Sequence, residues 1–188
     1  MRETRMKGIR LACIGLAALL AGGLLAASPP GVAGAGDRPM QAIRDLPPAP
    51  ALELPDDEGR RTWRLADLRG KVVLVNFWAT WCPPCRKELP SMERLWRQFG
   101  SQGLVVLGVN VGESSDVVYA FNHGLETPLS FPLLLDEATA VAKSWPVRGL
   151  PTTFLVDKQG RLAFGAVGGR EFDGPAIVAQ VKELLAAP

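Results

Sequence analysis

The 188-residue sequence predicts a single α/β domain with a mixed central sheet that is flanked by helices. Two near-continuous apolar runs, at residues 71–78 and 104–109, are typical of strands that are buried on both faces of a sheet. An amphipathic segment with helical periodicity follows each run. A hairpin signal near the C-terminus adds antiparallel strands, so the order of elements favours one mixed sheet with helices on both faces.

The first 35 residues are typical of a secretion signal. A basic stretch ends at Arg10, an apolar run covers residues 11–27, and Ala33-Gly34-Ala35 suits cleavage by signal peptidase. The 17 residues of this run are at the lower limit for crossing a bilayer, so an uncleaved membrane anchor is the alternative. Both alternatives predict a periplasmic or other extracytoplasmic protein. Cys13 lies inside the apolar run and is interpreted as an apolar filler.

Residues 36–50 contain four prolines and little apolar periodicity, which predicts a semi-extended tether ahead of a folded domain at residues 51–188. The net charge of +2 hides a cluster of basic residues near the N-terminus. Residues 36–188 carry 17 basic and 18 acidic side chains. Because this part of the chain is nearly neutral, its composition argues against non-specific binding to nucleic acid.

The first half of the domain combines a hairpin with the two long strands. Residues 51–65 alternate loosely around Asp56-Asp57-Glu58-Gly59, whose composition is typical of a turn. The buried strand at residues 71–78 comes next, and an amphipathic helix at residues 83–99 separates it from the second buried strand.

The second half alternates short helices and strands before a hairpin and a closing helix. The predicted bounds, in chain order, are helix 115–123, strand 131–135, helix 137–144, strands 153–156 and 161–167, and helix 175–186. The turn Asp157-Lys158-Gln159-Gly160 between the last two strands is the hairpin signal.

A cysteine pair lies between the first buried strand and the helix that follows it, in the sequence Trp81-Cys82-Pro83-Pro84-Cys85. A redox-active dithiol fits this position best, because the dipole and free N–H groups of a helix N-terminus favour a Cys82 thiolate. Zinc and an inert disulfide are the less favoured alternatives. Zinc needs four ligands, and residues 36–188 otherwise offer only His123 and carboxylates. A c-type haem site needs a His where Arg86 stands, so no metal or other cofactor is predicted.

One carboxylate breaks the amphipathic pattern of the helix at residues 83–99. Glu88 lies in the middle of the apolar stripe, one turn from Cys85. Burial there would raise its pKa, which favours a role as proton donor and acceptor for the dithiol. A glutamate that reaches out to solvent at the edge of the stripe is the alternative. Pro90 predicts a kink in the same helix, because proline has no backbone N–H.

Two motifs resemble one known family. Residues 75–90, with the sequence VNFWATWCPPCRKELP, resemble the active site of the TlpA/ResA/DsbE family of extracytoplasmic thioredoxin-like thiol–disulfide oxidoreductases. Residues 149–157, with the sequence GLPTTFLVD, resemble the cis-proline loop of that family. The resemblance covers residues 51–188 and implies a thioredoxin-like fold. Residues 112–145 resemble the helix-and-strand insert that separates this group from plain thioredoxin.

The resemblance implies how the two cysteines work. Cys82 would be the exposed nucleophile and Cys85 the buried resolving thiol. Glu88 matches the acidic residue that many family members place three positions after the second cysteine. Asn76 stands where cytoplasmic thioredoxins have a buried aspartate, so Glu88 is the natural substitute as proton acceptor.

The resemblance also implies a substrate-binding surface beside the cysteine pair. Pro151 would be cis and would face the disulfide, and the backbone of Leu150 would pair with an extended substrate segment. Trp81, Pro83 and Pro84 are expected to complete this surface.

The predicted activity is reduction of protein disulfides. Pro83 and Pro84 leave fewer N–H groups to stabilise a Cys82 thiolate, which makes a weaker oxidant. The family implies a membrane thiol transporter of the CcdA or DsbD type as electron donor. It also implies apocytochrome c, in cytochrome c biogenesis, or a copper-assembly protein as substrate. A peroxiredoxin would need a P-x-x-x-T-x-x-C segment, which is absent. A copper-binding chaperone and a general periplasmic reductase or isomerase are the competing hypotheses.

Overall fold

The computed structural model describes residues 38–188. The predicted signal or anchor segment, its apolar run at residues 11–27 and Cys13 lie outside the described residues. The strands are β1 Gln41–Ala42, β2 Glu53–Pro55, β3 Thr62–Arg64, β4 Val72–Trp78, β5 Leu104–Val111, β6 Leu133–Asp136, β7 Thr152–Val156 and β8 Leu162–Val167. The α-helices are α1 Pro83–Phe99, α2 Ser115–His123, α3 Ala140–Ser144 and α4 Pro175–Ala186.

Six of these strands form one mixed sheet in the order β1-β8-β7-β4-β5-β6. Strand β4 is parallel to β5 and antiparallel to β7, and β5 is parallel to β6. Strands β2 and β3 form a separate antiparallel hairpin. Because β4 lies in the middle of the sheet and leads directly into α1, the loop between them emerges at the centre of the domain.

The sheet separates two hydrophobic cores, and β4 contributes to both. All seven residues of β4 are buried, and side chains alternate between the faces of a strand. Leu74 and Trp78 pack in the core that contains the apolar residues of α1 and α4. Val75 and Phe77 pack in the core on the opposite face, under the β2–β3 hairpin and α3. This double burial explains why the run at residues 71–78 is nearly continuous rather than alternating.

Helices α1, α2 and α4 have the predicted bounds, whereas β6 and α3 begin later than predicted. Strand β6 begins at Leu133 because Pro132 has no N–H to contribute to a ladder. Helix α3 begins at Ala140, not at residue 137, because the chain first turns through Thr139 at φ 58°. The Asp136 carboxylate accepts hydrogen bonds from the N–H groups of Val141 and Ala142 and so completes the start of this helix.

Residues 38–50 are largely extended apart from a turn at Arg44-Asp45, and from Met40 onward they lie on the domain. Strand β1 pairs with β8 at the edge of the sheet, and the buried Met40 exchanges two hydrogen bonds with the side chain of Gln180 on α4. The Ala49 N–H donates to the Gly160 carbonyl. The folded domain therefore starts about ten residues earlier than its predicted boundary. Proline content indicated the extended backbone but not the strand that this segment joins.

Candidate active site

The cysteine pair forms a disulfide at the N-terminus of α1. The bond joins Cys82 and Cys85 with an Sγ–Sγ distance of 2.10 Å and a Cα–Cα distance of 5.3 Å. Cys82 is the N-cap residue in an extended conformation, and Pro83 begins the helix. Proline suits this position because an N–H in the first turn of a helix has no acceptor within the helix, so no hydrogen bond is lost. The Cys82 N–H donates to the Ala79 carbonyl, which closes the turn between β4 and α1.

The surface around the disulfide is formed by the neighbours of Cys82 rather than by its own side chain. Trp81 is 68% exposed, and Pro83 and Pro84 are exposed as well. Cys85 is fully buried, as the resemblance implied, but Cys82 is only 4% exposed where an exposed nucleophile was expected. In the disulfide form its sulfur is bonded to the inward-facing Cys85, and this holds the Cys82 side chain against the core.

The predicted cis-proline loop lies at the same end of the sheet. The Leu150-Pro151 peptide bond is cis, and Thr152, the next residue, pairs with Phe77 near the end of β4. The Pro151 carbonyl accepts a hydrogen bond from the Gly168 N–H. Within residues 38–188, no hydrogen bond joins the backbone of Leu150 to another residue. The N–H and carbonyl of Leu150 are therefore unpaired within the described residues.

Glu88 is buried, with 1% of its surface exposed. Its Oε1 accepts a hydrogen bond of 2.8 Å from Asn76 Nδ2 on β4, and its Oε2 accepts one of 3.2 Å from the backbone N–H of Arg170. Asn76 Nδ2 also donates to Thr153 Oγ1 on β7 at 2.8 Å. The alternative of a glutamate that extends into solvent is therefore wrong. The carboxyl group lies between α1, the sheet and the loop after β8.

Burial raises the pKa of Glu88 to about 8, and the hydrogen bonds from Asn76 and Arg170 limit the rise. A carboxyl group with this pKa keeps its proton at neutral pH and loses it just above. It can therefore both give and take a proton in the pH range in which thiols ionise. This is the property that a proton exchanger for a dithiol needs.

The contact between Glu88 and Arg170 is not apparent from the sequence. Arg170 follows the pair Gly168-Gly169 after β8, and a Cβ atom at Gly169 would lie 3.2 Å from the Pro84 carbonyl oxygen. A side chain at Gly169 would force the loop and the cysteine turn apart by a few tenths of an ångström, so glycine suits this close approach. The glycine pair is the signal that could have indicated the close approach.

A second carboxylate, Glu113, fixes the loop ahead of Cys82. Its Oε2 accepts hydrogen bonds of 2.7 Å from the Thr80 N–H and from Asn110 Nδ2, and its Oε1 accepts one of 2.6 Å from Thr80 Oγ1. Glu113 lies just after β5, in the segment that resembles the family insert. No sequence pattern links it to Thr80, which is 33 residues away.

Within residues 38–188, no group of three or more His, Cys, Asp or Glu side chains could hold a metal ion.

The same part of the chain contains no helix of sufficient length and hydrophobicity to cross a membrane. Nδ1 of His123, the only histidine of the sequence, lies 3.0 Å from the Tyr119 carbonyl, which accepts a hydrogen bond from an Nδ1–H, and the His123 ring stacks on the Tyr119 ring.

Comparisons with known proteins show the family of this chain. Residues 47–164 match the family model described as the AhpC/TSA family. The chain is 41% identical over 124 residues to the thiol-disulfide oxidoreductase ResA of Bacillus subtilis, a match that covers 65% of this chain and 66% of that protein. It is 45% identical over 114 residues to ResA of Geobacillus thermodenitrificans, covering 61% and 64%. The chain thus spans just under two thirds of the length of these relatives.

A solved structure supports the same conclusion about the fold. The exposed lipoprotein thioredoxin of Streptococcus pneumoniae is similar with a TM-score of 0.61 and 33% sequence identity, covering 72% of this chain and all of that one. The predicted thioredoxin-like fold is confirmed by this likeness. These relatives carry the name thiol-disulfide oxidoreductase, which is the enzyme class that the sequence predicts for this chain. The chain belongs to the AhpC/TSA family, and within it the chain is similar to the thioredoxin-like oxidoreductases of the ResA type.

Proposed function

We propose that this protein is an extracytoplasmic thiol–disulfide oxidoreductase that reduces protein disulfides through Cys82 and Cys85. The observation that carries the proposal is the arrangement at one end of the sheet. A disulfide at a helix N-terminus, a cis-proline loop with free peptide groups and a buried carboxyl group with a pKa of about 8 occur together. The similarity to ResA proteins adds the same enzyme class.

The reaction starts from the reduced dithiol. The Cys82 thiolate attacks one sulfur of a substrate disulfide, forms a mixed disulfide and releases the other substrate sulfur as a thiolate. Cys85 then loses its proton, attacks the Cys82 sulfur and releases the second substrate sulfur. The substrate gains two electrons, and the protein is left with the Cys82–Cys85 disulfide. A membrane thiol transporter of the CcdA or DsbD type is the proposed donor that reduces this bond again.

Glu88 is the proposed proton exchanger for this sequence. It lies one turn along α1 from Cys85, so both side chains are on the buried face of the helix. In its ionised form it takes the proton that Cys85 must lose, and it returns the proton to a departing thiolate or to solvent. The raised pKa of Glu88 suits both steps, because the two protonation states are close in free energy near neutral pH.

The reducing direction rests on the two prolines between the cysteines. Pro83 and Pro84 have no N–H, so they remove two of the donors that usually stabilise a thiolate at the start of a helix. Less stabilisation of the thiolate makes the reduced form less stable and the protein a weaker oxidant. Such a protein donates electrons rather than accepting them from its substrates.

The proposed substrates are unfolded segments that contain cysteine. The Leu150 backbone offers main-chain pairing, which favours an extended chain over a folded one. An apocytochrome c before haem attachment meets this requirement, and so does a copper-assembly protein with an exposed cysteine pair. Trp81, Pro83 and Pro84 would contact the residues that flank the substrate cysteines.

Trapping of the mixed disulfide tests the proposal. In the variant Cys85→Ser, substrate should stay covalently bound to Cys82, because the resolving thiol is missing. Expressed in its native compartment, the variant should capture an apocytochrome c or a copper-assembly protein, identified by mass spectrometry after non-reducing separation. The double variant Cys82→Ser, Cys85→Ser is the control and should capture nothing. Capture of a broad range of secreted proteins would instead indicate a general reductase or isomerase.

A further inference from the structure

Arg170 connects the Glu88 site to the N-terminal end of the described chain. Its backbone N–H donates to Glu88 Oε2, and its guanidinium contacts backbone carbonyls of the N-terminal segment and of β8. Nη1 donates to the carbonyls of Arg38 and Pro39 at 3.2 and 3.1 Å, and Nη2 donates to the Val167 carbonyl at 3.4 Å. One guanidinium group therefore holds two separate backbone segments beside the loop that contacts Glu88.

The segment that Arg170 holds is itself fixed to the domain. Met40 is buried, and its N–H and carbonyl are both bound by the side chain of Gln180. The carbonyls of Arg38 and Pro39 are thus presented by a docked backbone. Because the guanidinium is planar, its donors lie in a fixed fork that can reach several carbonyls at once, which a lysine ammonium group cannot match.

The charged groups near Glu88 are few. The shallow cavity beside the carboxyl group is lined by Lys87 from α1 and by Arg170 and Glu171 from the loop after β8. The groups that the sheet contributes, Asn76 and Thr153, are neutral. Burial raises the pKa of Glu88 and is the larger effect. The positive charge of Arg170 acts in the opposite direction and reduces the rise.

We propose that Arg170 is a positioning residue for Glu88: its guanidinium, held by the Arg38–Pro39 backbone, fixes the loop that binds the carboxyl group and supplies a cation beside it. That Glu88 exchanges protons, and that Arg170 adjusts this exchange, rests on the proposed function. The hydrogen bond between Arg170 and Glu88 does not rest on it, because the bond is present in the disulfide form of the protein. The N-terminal segment thereby becomes a part of the active site that residues 51–188 alone would lack.

The proton affinity of Glu88 is the quantity to measure. In the oxidised protein, carboxyl-labelled glutamate followed by NMR gives the titration midpoint of Glu88, and the variant Glu88→Gln assigns its signal. Arg170→Met keeps a side chain of similar length but removes the charge and the three carbonyl contacts. We expect the midpoint to rise by on the order of one pH unit, as for a carboxyl group that loses a neighbouring cation. Arg170→Gln serves the same comparison if the methionine variant does not fold.

Arg97→Met is the matched control, because it removes an equal charge from the helix that carries Glu88. Arg97 pairs with Glu93 and does not line the cavity beside Glu88. A Glu88 midpoint that is equal in Arg170→Met and the unmodified protein, or that rises as much in Arg97→Met, would overturn the proposal. The titration uses the oxidised protein, so its outcome is independent of reductase activity. If the proposed function is wrong, a separate experiment shows it, because the unmodified protein then fails to reduce a disulfide substrate.

Discussion

Single side chains hold the active-site loops in place, and Glu113 is the clearest example. Its carboxylate receives three hydrogen bonds from Thr80 and Asn110, at distances of 2.6 and 2.7 Å. Asn110 is fully buried, and its Nδ2 group loses its acceptor if the carboxylate is removed. Thr80 lies two residues before Cys82, so this acceptor and the backbone hydrogen bond from Cys82 to Ala79 together fix the loop.

Replacement of Glu113 by alanine should therefore destabilise the domain. The variant leaves the Asn110 amide and the Thr80 N–H without their acceptor, at a cost of about 2 kcal/mol in the free energy of unfolding. Urea unfolding of the oxidised protein measures this loss, and amide exchange at Thr80 should become faster. Glu126→Ala, a change at an exposed glutamate, is the control. Equal unfolding midpoints for the two variants would show that Glu113 does not hold the loop.

The cysteines and Glu88 were predictable as individual residues, but their partners were not. The apolar stripe of α1 indicated that Glu88 faces inward, because helical periodicity depends only on neighbours within the same helix. Its contact with Asn76 joins residues 12 apart, and its contact with Arg170 joins residues 82 apart. Such contacts depend on how the loop after β8 packs against the sheet. No local pattern in one sequence reports that packing.

Among the elements, a local start signal helped to predict the bounds of two helices. Proline at the first position of α1 and of α4 marks the start of both helices. Strand β1 was missed because it has only two residues and lies in a proline-rich segment. Its pairing with β8 is decided by contacts made more than 120 residues away along the chain.

One side chain of α4 contributes two hydrogen bonds to the docking of this N-terminal segment. Gln180 donates to the Met40 carbonyl at 2.9 Å and accepts from the Met40 N–H at 3.0 Å. Gln180→Ala would leave both backbone groups of a buried residue unpaired, so we expect a loss of about 1 to 3 kcal/mol in local stability. Hydrogen exchange should show reduced protection at the Ile43 amide, which donates to Ala163 beside β1.

The same measurement should show little change in β4 and β5 at the centre of the sheet. Glu183→Ala is the matched control, since Glu183 is an exposed residue of the same helix. Unchanged protection at Ile43 in Gln180→Ala would contradict the prediction. It would mean that the β1–β8 pairing and the Arg170 contacts keep the segment in place without Gln180.

At the scale of the whole molecule, the burial of Glu88 makes the free energy of unfolding depend on pH. In the unfolded chain this carboxyl group has its ordinary pKa of 4.5, whereas burial in the folded protein raises the pKa to about 8. Between these two values the folded protein keeps a proton that the unfolded chain has lost. The free energy of unfolding must therefore fall as the pH rises from about 4.5 to about 8, and Glu88 contributes no further loss above that range.

The variant Glu88→Gln isolates this contribution. Glutamine is nearly isosteric and stays neutral at every pH, so the variant should lack the part of the pH dependence that Glu88 causes. Denaturant unfolding of both oxidised proteins at pH 5 and pH 9 measures the difference. We expect the unmodified protein to lose a few kcal/mol more than the variant over this interval. The oxidised form is required because free thiols would also titrate there. Equal losses in the two proteins would mean that the Glu88 carboxyl group ionises near its ordinary pKa, which would remove the basis for its role as proton exchanger.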